Sequence, residues 1–194
     1  MVPQGYQFNA LAPEGKNGKE FKAKYGFVAM SLFDQEVLGD GINEAGLAGG
    51  GFFHPGYAQY AAYDQNQADN TISPQDIMAY ILGSFKTVEE VKKGMSEIKV
   101  AGVIDKTLGI EVPGHWMLSD ATGASVVIEF ANGEMKMYDS EVDVITNAPN
   151  YDWHLTHLSN YLNLSPHPQK PIEIGNMTVR PHGAGTRLSN ISGS

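Results

Sequence analysis

Runs of apolar residues separated by turn residues divide the first part of the chain into strands. Residues 25–32 (YGFVAMSL) predict a buried strand, and residues 35–41 predict a second one. Residues 43–46 (NEAG) form a turn, after which residues 47–53 are apolar and rich in glycine. The two flanks of this turn are expected to pair as a hairpin, and the glycines would let another backbone or a ligand approach closely.

Two helices are predicted next. Residues 73–76 (SPQD) start the first one, with serine as the N-cap and proline in the first turn. Gly83 ends this helix. Residues 87–90 (TVEE) are a capping box that opens a second helix. Its apolar residues fall on one face, so the pair is expected to form a helical hairpin that packs on a sheet; these residues are Val88, Val91, Met95 and Ile98.

The pattern changes to antiparallel strands from His115 onward. The segments HWMLSD, SVVIEF and EMKMYD alternate with the turns ATG and ANG and predict a meander. Residues 142–146 predict one more strand, and residues 150–162 predict a helix. Residues 1–24 and 165–194 show no regular element. The order of strands and helices indicates an α+β or layered α/β fold, and periodicity leaves open whether a second sheet completes an αββα sandwich.

Composition narrows the possible partners. A length of 194 residues with 42% hydrophobic residues suits one folded domain, and we find neither repeats nor a linker. The net charge of −9 argues against nucleic acid and anionic membranes as partners. No apolar run has the length of a membrane span. The first fifteen residues are not expected to act as a secretory signal, and the compartment, cytoplasmic or periplasmic, stays open.

The absence of cysteine removes several kinds of chemistry from these residues. The chain has no cysteine, so disulfides, thiolate metal sites and cysteine nucleophiles are impossible within it. No serine lies in a nucleophile-elbow motif either. His154 and His157 are three residues apart on the predicted helix and share a face, so they are candidate zinc ligands. Zinc would need a third ligand, and surface histidines are the commoner explanation of such a pair.

Glycine and aromatic clusters give weaker signals. The glycines at 49–51 and the loop at 182–186 lack the lysine and the strand–loop–helix order of a nucleotide loop, so tight turns or close backbone approach explain them better. His115 is expected to pack beside Trp116. The aromatic residues between 52 and 63 fit an apolar pocket and core filling equally well.

Three segments in combination resemble a known family. They are residues 40–60 (DGINEAGLAGGGFFHPGYAQY), residues 115–130 (HWMLSDATGASVVIEF) and residues 144–166 (VITNAPNYDWHLTHLSNYLNLSP). In this order, with the helical pair between the first two, they resemble the choloylglycine hydrolases, which include bile salt hydrolases and penicillin V acylases. The resemblance covers most of residues 20–166.

The resemblance implies an N-terminal nucleophile hydrolase with an αββα sandwich. In that family an N-terminal cysteine attacks a linear amide, its own α-amino group transfers the proton, and an arginine and an aspartate position it. An asparagine donates to the oxyanion of the tetrahedral intermediate. Asn147, in the motif T-N-x-P, matches that asparagine. The alternative is that Asn147 only caps the turn before the helix. The resemblance implies no cofactor or metal.

The residue at position 53 indicates which kind of acyl group the substrate would carry. The resemblance implies that bile salt hydrolases carry an asparagine at this position and penicillin V acylases a tyrosine. Phe53 keeps the ring without a hydroxyl group, so it would line the acyl pocket without donating a hydrogen bond. This favours an apolar acyl group on a small-molecule N-acyl amide.

The chain departs from the family pattern at both ends. The family's opening strand, with its cysteine, arginine and aspartate, has no match, and Arg187 does not lie in the family's later arginine motif. We therefore expect an internal piece of one domain over residues 1–194 that is inactive as it stands. An incomplete sandwich should associate through exposed sheet, as a homo-oligomer or otherwise. A catalytically dead protein that binds acyl ligands and a metal-dependent hydrolase using His154 and His157 are the alternatives.

Overall fold

A six-stranded antiparallel sheet forms the framework of residues 1–151. The structure is a computed structural model and describes residues 1–13, 16–32, 37–161 and 170–179. Its strands are β1 (Gln7–Asn9), β2 (Glu20–Lys22), β3 (Phe27–Leu32), β4 (Val37–Asn43), β5 (Ala48–Phe53), β6 (Thr71–Ile72), β7 (Lys99–Val100), β8 (Gly114–Ser119), β9 (Ser125–Ala131), β10 (Glu134–Asp139), β11 (Ile172–Ile174) and β12 (Met177–Val179). Its helices are α1 (Ile77–Ser84), α2 (Val88–Ser96) and α3 (Tyr151–Leu158), with 3-10 turns at Gln65–Asn70, Pro74–Asp76 and Ser159–Tyr161.

The sheet confirms the hairpin and the meander predicted from the sequence. Its strand order is β10-β9-β8-β5-β4-β3. Strands β4 and β5 pair across the turn at residues 43–46, with Ile42 opposite Ala48. Strands β8, β9 and β10 form the meander. The central neighbours β5 and β8 are separated in sequence by α1 and α2, so the two predicted halves meet in the middle of the sheet.

The helical pair supplies one layer against this sheet. Residues 77–83 of α1 are all buried, and α1 packs against β4. A Cβ atom on Gly41 would lie 2.6 Å from Leu82 Cδ1, so β4 needs a glycine where the helix crosses it. Thr87 caps α2 as predicted. The predicted face of the second helix joins the same hydrophobic core; its members are Val88, Val91, Met95 and Ile98.

The glycine tract of β5 serves close packing between strands. A Cβ atom on Gly49 would lie 2.6 Å from the carbonyl oxygen of Met117 on β8. The predicted close approach of another backbone is therefore confirmed at Gly49. The second glycine loop, residues 182–186, lies outside the described residues, as does Arg187.

Three of our predictions about regular structure are wrong. Strand β3 is not buried throughout, because Val28 and Met30 share a face of the strand and both are more than half exposed. Residues 142–146 form no strand; Val144 is 66% exposed, and none of the strands in the described residues pairs with this segment. Residues 1–24 contain β1 and β2, and the tail contains the hairpin of β11 and β12. Strands of three residues are too short for their periodicity to be recognised.

The chain divides into two compact units, residues 1–151 and residues 152–194. Compactness does not establish independent folding, so one domain over residues 1–194 stays a prediction. No helix in the described ranges is long and apolar enough to cross a membrane.

The edge of the sheet at β3 and β4 carries exposed apolar side chains, from which we predict self-association. Val28 and Ile42 are paired across the two strands and are each 51% exposed, and Met30 extends the patch along β3. The double substitution Val28→Lys and Ile42→Lys should shift the protein toward monomer, because it places charge on the patch. Sedimentation velocity over a hundredfold concentration range measures the shift.

A matched control adds the same two charges elsewhere. Ala62 and Gln65 are exposed positions outside β3 and β4, and the pair Ala62→Lys and Gln65→Lys should leave association unchanged. A native chain that stays monomeric over the whole concentration range would contradict the prediction.

Candidate functional site

Asn147 is fixed to the backbone of Phe53 at the end of β5. Its Oδ1 accepts a hydrogen bond from the Phe53 N–H at 3.0 Å. The next residue, Ala148, donates its N–H to the Phe53 carbonyl oxygen at 3.2 Å. Oδ1 of this side chain therefore accepts the hydrogen bond from Phe53, and Nδ2 is its donor atom. The predicted strand over residues 142–146, directly before Asn147, is absent; the strand end beside Asn147 is that of β5.

The ring of Phe53 lines an apolar cavity of about 240 Å³. Phe53 itself is 48% exposed, so the cavity opens where the ring meets solvent. The other walls come from the end of β3, from β4, β5 and β8, and from the segment before β8; they include Leu38, Phe52, Leu108, Val112 and Trp116. An apolar cavity of this kind suits a hydrocarbon group.

The aromatic residues between 52 and 63 have both of the roles that the sequence left open: some line an apolar cavity and others pack in the core. Phe52 and Phe53 line the cavity. Tyr60 instead packs on Phe130, with ring centroids 5.2 Å apart, and its hydroxyl donates to the Val112 carbonyl at 2.8 Å. Burial raises the pKa of Tyr60, so this hydroxyl stays protonated and acts as a structural hydrogen-bonding group.

A buried cluster of His54, His115 and Glu129 lies beneath the segment that carries Asn147. The His115 ring is stacked on His54, with centroids 4.1 Å apart and planes 3° from parallel. His115 Nδ1 lies 3.0 Å from Glu129 Oε1, and the same oxygen accepts the Tyr151 N–H at 2.8 Å. Tyr57 stacks near the other face of His54, at 5.4 Å. We expected His115 only to pack beside Trp116, and no motif drew attention to His54 or Glu129.

The register of the meander contains a signal for part of this cluster. Ser119 pairs with Ser125 across the turn between β8 and β9, and Trp116 pairs with Ile128. Continuing the same register by one residue brings His115 opposite Glu129. The position of the turn between β8 and β9 therefore predicts that an imidazole and a carboxylate lie opposite each other on neighbouring strands. The contribution of His54 depends on the pairing of β5 with β8, which has no local signature.

His54 is held as a neutral imidazole. Burial is the main cause that lowers its pKa, and the neighbouring His115 lowers it further. The Glu129 carboxylate opposes this shift, as do the Pro149 carbonyl and the Asn150 side chain. Neither ring nitrogen of His54 makes a hydrogen bond of ordinary geometry with the described residues. A proton on this ring would therefore be poorly stabilised.

The cluster is not arranged as a metal centre. It is the only group of three or more potential ligand side chains close enough to share one ion in residues 1–13, 16–32, 37–161 and 170–179. The lone pairs of an imidazole lie in the ring plane, so two parallel stacked rings cannot both direct a nitrogen at the same ion. In addition, Glu129 Oε1 already has two polar neighbours.

His154 and His157 are not part of any such group in the described part of the chain. His157 stacks on Trp153, with centroids 4.3 Å apart, and meets Tyr161 edge-on at 5.1 Å. Trp153 also contacts His154 edge-on. Aromatic packing along α3 accounts for these two histidines better than a zinc site, since no third ligand accompanies them there.

We predict that His54 makes stability depend on pH. Because folding lowers the pKa of this imidazole from about 6.5, the unfolded chain binds more protons than the folded one just below pH 6.5. The free energy of unfolding should therefore fall as pH drops below 6.5, by at most about 1.4 kcal/mol per pH unit from this one group. His54→Phe keeps a stacking ring and should flatten the profile. Urea denaturation at pH values from 5 to 8 measures the difference.

The control for this prediction is His157→Phe, which removes a histidine from α3 and preserves its aromatic contacts. Its profile should follow that of the unaltered chain. His115, Glu129 and Tyr57 face position 54 in both variants, so the difference between the two pH profiles reports the removal of His54. An unchanged slope in His54→Phe would assign the pH dependence to another group.

Comparison with known proteins places this geometry in a family. The family model described as linear amide C–N hydrolases, choloylglycine hydrolase family, matches residues 1–194. A bile salt hydrolase/transferase of Clostridium perfringens is 32% identical over 182 residues, which are 91% of this chain and 54% of that protein. A penicillin V acylase of Pectobacterium atrosepticum is 30% identical over 149 residues, which are 73% of this chain and 39% of that protein. The chain thus spans about half the length, or less, of these curated relatives.

Solved structures show the same relationship. A variant of conjugated bile acid hydrolase from Clostridium perfringens superposes with a TM-score of 0.74 at 27% identity, covering 100% of this chain and 58% of that one. Penicillin V acylase from Agrobacterium tumefaciens gives a TM-score of 0.68 at 25% identity, covering 82% of this chain and 47% of that one. The fold class is therefore α+β of the N-terminal nucleophile hydrolase type. The described residues supply one large sheet and one helical layer, as expected for part of an αββα sandwich. The chain belongs to the choloylglycine hydrolase family of linear amide C–N hydrolases.

Proposed function

We propose that this chain supplies the oxyanion donor and the acyl pocket of an enzyme that hydrolyses linear amides in small N-acyl conjugates. The observation that carries the proposal is the hydrogen bond from the Phe53 N–H to Asn147 Oδ1. One residue, Phe53, lines the apolar cavity with its ring and fixes Asn147 with its backbone. An acyl chain in the cavity would therefore present its carbonyl group beside the Asn147 amide.

The chemistry follows from that placement. When a thiolate attacks the amide carbon, a C–S bond forms and the carbonyl oxygen takes up negative charge. Asn147 Nδ2 donates to that oxygen in the tetrahedral intermediate. Collapse breaks the C–N bond, and the leaving amine takes a proton from the general acid; water then hydrolyses the thioester. The 194 residues contain no cysteine, so the thiol that the family resemblance implies has to come from other residues.

Phe53 favours an apolar acyl group. Its side chain has neither donor nor acceptor, and most of the named walls of the cavity are hydrocarbon or aromatic. Relatives named for conjugated bile acids and penicillin V suggest amides with a large apolar acyl part. Within this class we expect saturated fatty-acyl and steroid amides to fit better than acyl groups that need a hydrogen bond from this wall.

The test uses protein purified from its source cells. Release of glycine from glycine-conjugated bile acids and N-acyl glycines is measured before and after treatment with iodoacetamide, together with intact mass and N-terminal sequence. Hydrolysis that alkylation abolishes, in a protein heavier than 21.0 kDa that begins with cysteine, would support the proposal. Absence of hydrolysis for every amide tested would overturn it.

A second candidate is an acyl-ligand-binding protein without turnover. The observation that favours it is the presence of an apolar cavity in a chain that contains no cysteine. Isothermal titration with a fatty-acyl glycine separates the two functions, since a binding protein would retain the intact amide as ligand indefinitely. Stoichiometric zinc, with loss of activity on chelation, would instead favour a metal-dependent hydrolase using His154 and His157.

A further inference from the structure

Glu129 is a buried carboxylate on which two groups converge. It lies on β9 and is 2% exposed. Its Oε1 accepts the Tyr151 N–H at 2.8 Å and lies 3.0 Å from His115 Nδ1. No lysine or arginine within the described ranges pairs with it. Carboxylates are rarely buried and are costly there unless hydrogen-bonded, so the groups that Glu129 holds indicate its role.

One of these groups, Tyr151, lies at the end of the segment that carries Asn147 and contacts the residues at its beginning. Tyr151 is 1% exposed. Its hydroxyl oxygen accepts the Glu141 N–H at 3.0 Å and lies 3.3 Å from Ser140 Oγ. Residues 140–151 therefore form a loop whose two ends meet at Tyr151, and the Tyr151 N–H attaches this junction to Glu129.

The other group, His115, supports Phe53 from the opposite side. His54 follows Phe53 directly and stacks on His115, with centroids 4.1 Å apart. Phe53 in turn holds Asn147 Oδ1 and the Ala148 N–H through its backbone. Phe53 and Asn147 thus both depend on the Glu129–His115 pair, one through His54 and the other through Tyr151.

We infer that Glu129 is a positioning residue that keeps the Asn147 segment in register with Phe53. It touches neither the cavity nor the place of an acyl carbonyl, so its effect is transmitted through Tyr151. Its importance for catalysis rests on the proposed function, whereas its effect on the position of Asn147 does not. The competing explanation is that Glu129 only satisfies His115 inside the sheet.

The test compares Glu129→Gln with Ile128→Val in the 194-residue chain. Ile128 is fully buried, neighbours Glu129 on β9 and points to the opposite face of the sheet, so Ile128→Val weakens the core without touching Tyr151. Glu129→Gln keeps the size of the side chain and removes the charge that strengthens both hydrogen bonds. Amide hydrogen exchange followed by NMR reports local opening at single residues.

We expect the Ala148 and Tyr151 amides to exchange at least tenfold faster in Glu129→Gln than in Ile128→Val, after both are normalised to the amides of β4, which does not pair with β9. Equal normalised rates in the two variants would overturn the inference and leave Glu129 as a core partner of His115. Glu129→Leu, which removes the acceptor, should exceed the effect of Glu129→Gln if it folds.

The exchange result is independent of turnover, so it separates this inference from the proposed function. In protein that hydrolyses amides, Glu129→Gln should also lower kcat at nearly unchanged KM, with kcat expressed per titrated active site so that loss of folded protein does not contribute. Faster Ala148 exchange without hydrolysis in any form of the protein would support the inference while refuting the proposed function.

Discussion

In the amide hydrolysis proposed above, Asn147→Asp should reduce turnover more severely than Asn147→Ala. Aspartate keeps an oxygen for the Phe53 N–H bond but replaces the Nδ2 donor with a negative charge. That charge would face the developing oxyanion. Removal of one oxyanion donor typically costs a factor of about 10² to 10³ in kcat, which we expect for Asn147→Ala.

The pair of variants separates donation from anchoring. If Asn147 only tied the loop to β5, aspartate would preserve the anchor and most of the activity, whereas alanine would lose both. The opposite order, with aspartate the worse of the two, identifies the amide N–H as the catalytic group. Thr146→Ala is the neighbouring control on the same exposed segment and should retain activity within a factor of a few.

The measurement is steady-state kinetics on a fatty-acyl glycine, with kcat and KM reported separately. Loss of an interaction made only in the transition state lowers kcat and leaves KM almost unchanged. A rise in KM at constant kcat for Asn147→Ala would mean that the side chain binds the ground-state amide, and the oxyanion role would then be wrong.

The parts of the fold that the sequence predicts best are those in which local chemistry and tertiary pairing agree. The turn at residues 43–46 is flanked by two apolar runs, and β4 and β5 pair around it. Thr87 caps a helix whose apolar face is also the buried face. In both cases a few neighbouring residues specify the element, so no distant partner has to be known.

The segment at residues 142–146 shows why local patterns fail. Its valines have high strand propensity, yet a strand needs a partner with free hydrogen-bonding groups. The hydrogen bonds of this region instead run to Tyr151 and Phe53, which fold residues 140–151 into a loop. Tertiary contacts made by a tyrosine at the end of the loop therefore override the propensity of the residues inside it.

The candidate site was predictable only in part for a similar reason. Asn147 and Phe53 were found through motifs, but their contact joins residues 94 positions apart. The His54–His115–Glu129 cluster requires three strands to be placed side by side before its members meet. Sequence patterns report the period of a strand, while the neighbours of that strand are decided by the whole chain.

The 194-residue chain by itself should bind fatty-acyl glycine and leave it intact. The cavity beside Phe53 and the Asn147 amide lie in residues 1–151. The chain provides no thiol, because it has no cysteine. Enzymes commonly accelerate their reactions by 10⁶-fold or more, so loss of the nucleophile should reduce turnover to the rate in buffer.

Glycine release measured by ninhydrin over several days, beside isothermal titration of the same acyl glycine, tests both halves of this prediction. The Clostridium perfringens bile salt hydrolase/transferase, given a glycine-conjugated bile salt, serves as positive control for glycine detection. Alkylation with iodoacetamide should change nothing in the 194-residue chain, whereas it should inactivate a thiol-dependent relative. Turnover by the chain alone would require a different nucleophile, and its sensitivity to a zinc chelator would then decide between His154 with His157 and a hydroxyl group. Binding without turnover would instead show that residues 1–194 hold the recognition half of the reaction, and that the bond-breaking half depends on the thiol.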